Sequence, residues 1–281
     1  MSTLENSTVS ILGAGGKMGT RITNNLIHAP LQLLLCEKSE ERVATMIERN
    51  LIVVPMEEAV PQSDFVILAV PDIYIKQIST EVAPLMKDGA VLITLDPAAA
   101  YAEQLVVNNH STSIVAHPCH PSIFLEKYTR EEYDDAFGGV AAKQDVVVAL
   151  HQGDETKITL ALELIKSMYA PVETCHVITV EQMAILEPTL VETITCMIGT
   201  VLNESLDEVV NMGIPEEAAR AMLYGHIQIA LAVALRGTNP FSDACLIAIE
   251  QGKEAIIQPD WKKVFEKEHL DSTIRKMLKL C

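Results

Sequence analysis

Residues 9 to 22, VSILGAGGKMGTRI, set a β-branched run directly against glycine, with Gly13, Gly15, Gly16 and Gly19 falling within seven positions. The stiffest residues of a strand are followed at once by those with the least backbone restraint. A strand that turns on glycine and opens a helix suits a βα unit in which a bound group approaches the main chain closely. The spacing departs from GxGxxG: Met18 takes the sixth position, and Gly13, Gly16 and Gly19 form a GxxGxxG set. Gly13 is expected to make the tight turn. Gly15 or Gly16 leaves room for a pyrophosphate at the helix N-terminus, beside Lys17 and Met18. Gly19 lets the helix lie against the sheet. From the glycines alone, a purely structural βα turn remains the alternative.

Two further features bear on that choice. Glu37 ends the second strand candidate, 24 positions after Gly13, where an acidic residue binds adenosine ribose hydroxyls. A carboxylate there repels a 2′-phosphate and favours NAD over NADP, although Lys38 and Arg42 beside it keep NADP open. The fourth strand candidate ends in ILAVPD, where Pro71 stops the strand and sets Pro71 and Asp72 beside the cofactor. Together the three features predict dinucleotide binding.

Up to residue 178, short apolar runs alternate with amphipathic stretches. The strand candidates are TVSILG, LQLLLC, LIVV, DFVILAV, AVLITL, TSIVAH, DVVVALH and PVETCHVI. Near-continuous apolar strands belong where helices cover both sheet faces, so residues 1–178 read as a Rossmann-like, doubly wound α/β domain. From Thr179 the rhythm changes. Thr179 and Gln182 form a capping box, and helical patterns continue through 181–211, 216–236 and 243–257. Residues 179–281 thus read as an all-helical domain for substrate binding and dimerisation. Its apolar excess predicts a homodimer.

The formal net charge is −17, with 38 acidic and 21 basic residues, which argues against nucleic acid or an anionic membrane as partner. The six cysteines are scattered without a CxxC pair, as expected of reduced thiols in the cytoplasm. No signal-peptide pattern opens the sequence, and no uninterrupted apolar run reaches the length of a membrane span.

The sixth strand candidate delivers VAHPCHPSIF, residues 115–124, to the sheet edge where ligands of open α/β folds bind. Pro118 and Pro121 stiffen it; His117, Cys119 and His120 crowd beside them. Imidazole can take a proton from an alcohol that becomes a carbonyl, or ligate a metal. A proline-stiffened turn with a satisfied histidine is the alternative, and Cys119 reads as a small buried residue. Further on, residues 183–202 carry just two charges, Glu187 and Glu192. A carboxylate on an apolar helix face is paired or faces a cavity. Pro188 is expected to kink the helix and free a carbonyl. Glu192 stands about 140° round the helix, away from any site that Glu187 serves. His226 in YGHIQIA is a further candidate for substrate contact, or a core histidine. Lys143 could hold a substrate carboxylate, or be a solvated surface charge.

GAGGKMG, AVPD, AHPCHPSIF, FGGVAAKQD, VEQMAILEP, YGHIQIA and NPFSDA together resemble the D-apionate oxidoisomerase family, related to phosphogluconate dehydrogenase-like and β-hydroxyacid dehydrogenases. HPCHP and EQMAILEP are the specific segments. The resemblance implies NAD-dependent oxidation of a small branched sugar acid, coupled to carboxylate migration that gives a 3-oxo acid. His120 is then the expected base, with His117 as its orienter. Moving a carboxylate calls for held oxyanions, so a divalent cation (Zn, Mg or Mn) on His120 and Glu187 is expected. A metal-free pair of those residues is the alternative. A simple β-hydroxyacid dehydrogenase, an imine reductase or an NAD(H)-sensing protein would use the same scaffold.

Overall fold

The computed structural model describes residues 4–237 and 239–280. Seven strands form one sheet in the order β2-β1-β3-β4-β5-β6-β7. They are β1 (Thr8–Leu12), β2 (Gln32–Cys36), β3 (Phe65–Leu68), β4 (Val91–Thr94), β5 (Thr112–Pro118), β6 (Gln144–Gln152) and β7 (Val172–Ile178). The first five are parallel, so their carboxyl ends share one edge. β6 runs antiparallel to β5, and β7 follows β6, which makes the sheet mixed rather than wholly parallel. LIVV, an expected strand, contributes only an isolated bridge between Leu35 and Val53. Asn50 in a left-handed conformation and Pro55 confine that stretch to too few extended residues for a ladder.

Helices cover both faces, as the apolar strands require. On one face Ile22 and Leu26 of α1 (Lys17–Leu26) pack with Val9, Ile11 and Phe65. On the other, Val66, Leu68 and Leu92 meet Ile75 and Val82. Ile22 and Leu26 recur at helical spacing with Met18, which gives α1 its single buried face. Truncating Ile22, which is fully buried, to alanine costs about 2–5 kcal/mol.

The chain divides into two compact units, Met1–Ile185 with Asp271–Cys281, and Leu186–Leu270. The division expected at 178/179 thus falls at Ile185/Leu186, and the C-terminal segment returns to the first unit. There the Tyr101 hydroxyl donates to Asp271 Oδ1 at 2.7 Å. The second unit is helical, with Met197–Asn211, Glu216–Arg236 and Asp243–Ile256 as its long elements. Pro188 does disturb its helix: Ile185–Cys196 widens into a π-helix. Two carbonyls along it are taken by side chains, Thr193 Oγ1 on Pro188 O at 2.7 Å and Thr195 Oγ1 on Leu190 O at 2.9 Å. Helices Val180–Asn211 and Glu216–Arg236 are long and apolar enough, by length and composition alone, to cross a membrane, although charged and polar residues interrupt their apolar runs. Cys281 lies outside the described residues.

Candidate active site

Gly13 follows β1 in a left-handed conformation, φ +83°, and a Cβ there would stand 2.5 Å from Ala69 O at the end of β3. Its N–H and that of Ala14 donate to Cys36 O at 2.9 and 3.1 Å, tying the turn to β2. A Cβ on Gly19 would overlap Gly13 O, so only glycine lets α1 settle on the turn. Gly16 is the N-cap of α1 with no side-chain cap, and the first helical turn holds no acid. Its N–H groups are therefore available to an anion. Gly15 answers a packing demand as well. A Cβ there would meet Arg42 Cβ at 2.8 Å, so its bareness admits α2 (Glu40–Glu48). Met18 packs toward the core, whereas the Lys17 ammonium stands 3.7 Å from the Phe137 ring centroid.

Beside the turn opens a cavity of about 540 Å³, lined among others by Gly13, Glu37, Met56, Pro71 and Tyr74. Glu37 reaches it from the end of β2. Its Oε2 accepts from Gly15 N at 3.1 Å, and its Oε1 from Lys38 N and Ser39 N at 2.9 and 3.0 Å. Arg42 stands 3.9 Å from the same carboxylate. Lys38 turns away to Glu81. Asp72 begins the 3-10 turn Asp72–Tyr74 and is not among the cavity's lining residues. Cys36 lines the cavity too, but burial, with Glu57 nearby, pushes its thiol up to about 12, so it is no nucleophile at neutral pH.

The β4/β5 register explains the next pair. Thr94 pairs Val115, so two residues on, Asp96 and His117 leave neighbouring strands at the same edge. Each offers a ligand atom within 4.8 Å of the other. His117 Nδ1 bonds Leu95 O at 2.9 Å; a carbonyl only accepts, so Nδ1 carries the proton and Nε2 keeps its lone pair. Burial lowers the imidazole's pKa against the pull of Asp96, which favours that neutral ring. Asp96 in turn accepts from Ala98 N at 2.8 Å. The sequence reading missed Asp96, although LITLDP ends a strand on an acid as ILAVPD does.

His120 lies one turn of chain beyond, its ring 6.4 Å from that of His117 and edge-on to it. Its Nδ1 bonds Phe137 O at 2.8 Å, which leaves Nε2 unprotonated in the neutral ring. Cys119 is exposed rather than buried as a residue, yet partial desolvation of its thiol, with Asp145 nearby, raises its pKa. The Lys143 ammonium pairs with Glu173 at 2.8 Å, both side chains being exposed, in keeping with the surface-charge alternative. In the second unit Glu187 is buried, at 6% exposed, whereas Glu192 is exposed. His226 is exposed on helix Glu216–Arg236, with Nδ1 donating to Met222 O at 2.8 Å.

Two sequence families match: acetohydroxy acid isomeroreductase, NADPH-binding domain, over residues 3–169, and phosphogluconate dehydrogenase (decarboxylating) C-term over residues 126–278. A D-apionate oxidoisomerase from Pectobacterium atrosepticum is 55% identical over 98% of this chain and 97% of its own. Another, from Blautia hydrogenotrophica, is 45% identical over 96% of each. A semialdehyde dehydrogenase NAD-binding protein from Cupriavidus necator, solved with calcium and NAD, is 42% identical, with a TM-score of 0.93 over 97% of this chain and 99% of its own.

Proposed function

The chain belongs to the D-apionate oxidoisomerase family, and on that premise we propose that it oxidises D-apionate with NAD and moves the carboxylate in the same reaction, giving 3-oxo-isoapionate. The observation that carries this reading is the 55% identity maintained along 98% of the chain.

Bound at the glycine turn, NAD supplies the acceptor for the substrate's hydride. The α1 N-terminus, capped by Gly16 without a side-chain bond, holds the pyrophosphate. Glu37, already facing the cavity beside Gly13, accepts from the ribose hydroxyls and repels a 2′-phosphate. The Cupriavidus relative was solved with NAD, and Glu37 supports the same preference here, although one matched family is described as NADPH-binding.

His120 Nε2 takes the hydroxyl proton as the hydride departs. His117 has a different part from orienting His120. Its Nδ1 donor to a main-chain carbonyl and its free Nε2 are the arrangement of a metal-ligating imidazole, and Asp96 is within reach of the same ion. We assign the cation to Asp96 and His117, the latter in place of His120, and keep Glu187 as a proposed ligand on the chemistry of its buried carboxylate alone. Carboxylates with one imidazole can hold Mg, Mn or Zn; Mg, like the calcium of the relative, is a hard ion that favours oxygen, whereas Zn takes the imidazole more readily. Such a cation polarises the oxygens that gain charge while the carboxylate moves.

The exposed apolar side chains of the second unit, Ile229 and Leu235 among them, support a homodimer built on its helices. An NAD-linked sugar-acid enzyme with free thiols belongs in the cytoplasm.

The test is absorbance at the NADH wavelength with D-apionate, followed by identification of the product and repeated after chelation. NADH and a rearranged 3-oxo acid are expected, with activity lost on chelation and restored by Mg, Mn or Zn. An unrearranged product would make this a simple hydroxy-acid dehydrogenase. Silence with NAD binding verified would make it a sensor. Full activity in a verified metal-free enzyme removes the cation.

A further inference from the structure

The loop between the short helix Arg130–Asp134 and β6 is organised by one carboxylate. Asp135 Oδ2 accepts N–H bonds from Val140, Ala141 and Ala142 at 3.1, 2.9 and 3.1 Å. The residue is 8% exposed. Burial alone would raise its carboxyl, but those three bonds, with Arg21 nearby, bring it below the usual carboxylate range, so it is an anion at neutral pH.

Three successive N–H groups reach one oxygen only if the chain reverses, and it does so at Gly138 and Gly139, φ +72° and +82°. Gly138 is pinned as well: a Cβ there would stand 2.5 Å from Gln144 Oε1, and Gln144 is anchored through Nε2 to Tyr169 O at 2.8 Å. The reversal turns two carbonyls toward Arg21 of α1 and the histidine segment. Gly138 O accepts from the Arg21 guanidinium at 2.7 Å, and Phe137 O accepts from His120 Nδ1 at 2.8 Å. The Phe137 ring meets His120 edge-on, centroids 5.7 Å apart. His120 itself has φ +61°, a conformation that costs a non-glycine residue energy and persists where neighbours impose it.

We propose that Asp135 is a positioning residue: it holds the Phe137–Gly139 turn so that the Phe137 carbonyl takes the Nδ1 proton of His120 and leaves Nε2 to face the substrate. This rests on the reading of His120 as the base. A solvated imidazole places its proton on either nitrogen, whereas one facing a fixed carbonyl has a single choice. Asp135 acts through the turn and His120, from which it is separated by the Phe137 carbonyl.

The test combines ring-nitrogen NMR of ¹⁵N-histidine in the full chain with steady-state kinetics, His120→Gln identifying the His120 signals. In the wild type at a pH where the ring is neutral, His120 should carry its proton on Nδ1. Asp135→Ala should shift the tautomer toward Nε2–H and lower kcat about 10- to 100-fold, with KM for NAD within about twofold. Asp135→Asn, which keeps one oxygen, should be intermediate. Gly138→Ala leaves Asp135 in place but drives the turn off Gln144, and should give the same tautomer shift if Asp135→Ala fails to fold. An unchanged tautomer in a folded Asp135→Ala or Gly138→Ala protein overturns the positioning role. A shifted tautomer with unchanged kcat instead overturns His120 as the base.

Discussion

The first unit buries its apolar residues on both faces of one sheet, from Val9 and Ile22 on one side to Val66 and Leu92 on the other. In the second, the buried hydrophobic residues among those described are Leu206, Ala219 and Leu270, while Met222, Ile229, Leu235 and Ile247 are exposed. Both stretches have apolar sequences, and only one covers them within itself. A strand has to find its partner strands to satisfy its main chain, which draws the first unit together. A helix satisfies its main chain alone, so its apolar faces can wait for another surface. The chemistry divides the same way. Asp96 and His117 meet because β4 and β5 pair in register, Thr94 with Val115, and both residues lie two positions on, whereas Glu187 is placed by how its helix is wound around Pro188.

The largest expected effect comes from the second unit's carboxylate. Glu187→Gln keeps the shape and removes the charge, and should lower turnover by about 10³-fold or more. NAD affinity, set in the first unit, should stay within about twofold. Rates of NADH formation and a direct NAD titration read the two separately. Wild-type turnover in the variant would place the chemistry within the first unit.

Next is the exposed face itself. Ile229→Asp together with Leu235→Asp introduces charges into the surface assigned to the dimer, and should weaken association by more than about 100-fold. Sedimentation at micromolar concentration should find a dimer for the wild type and a monomer for the variant. A wild-type monomer would mean that the second unit tolerates its exposed apolar surface without a partner.

The same contrast governs what could be read in advance. The glycine turn and the apolar strands were legible because each residue type answers a local demand. Gly13 needs a positive φ, and Gly19 needs to lack a Cβ against Gly13 O. Glu37 could be placed by its distance along the chain from Gly13. Asp96 was missed because its meaning lies in register, in that Thr94 pairs with Val115, and register is a property of two strands. Pro188 signalled a disturbed helix but not a π-helix, since which carbonyls are released depends on Thr193 and Thr195 reaching back. The ion pair of Lys143 was not legible because Glu173, thirty residues on, meets it only beside the β6–β7 pairing.

A third test stays within the first unit. Glu37→Ala should shift the NAD-to-NADP preference in kcat/KM toward NADP by about 10- to 100-fold, as the ribose acceptor is lost and Arg42 is freed beside the cavity. Because Glu37 also holds the N–H groups of Gly15 and Ser39, Glu37→Gln separates the effects: it keeps an acceptor and loses the charge. A wild-type enzyme that uses NADP as well as NAD would remove the role assigned to Glu37.

The smallest effect concerns stability and separates the units by pH. His151 Nδ1 bonds Ser113 Oγ at 2.8 Å across the β5–β6 pair, and Ser113 is fully buried. Burial of the ring lowers its pKa below that of the unfolded chain, about 6.5. The unfolded state therefore binds the proton more readily as pH falls. The contribution of His151 is present above about pH 6.5 and declines below it, toward its own lower pKa. Urea unfolding at pH 7.5 and 5.5 should find the wild type losing more stability than His151→Gln on the acid side. Trp261, the single tryptophan, lies in the second unit, so its fluorescence follows that unit. Amide exchange along β5 and β6 follows the first. The acid loss should appear in strand exchange before it moves the Trp261 midpoint. Equal acid slopes in wild type and variant would show that His151 protonates alike in both states, and an acid loss confined to Trp261 would assign the sensitivity to the helices instead.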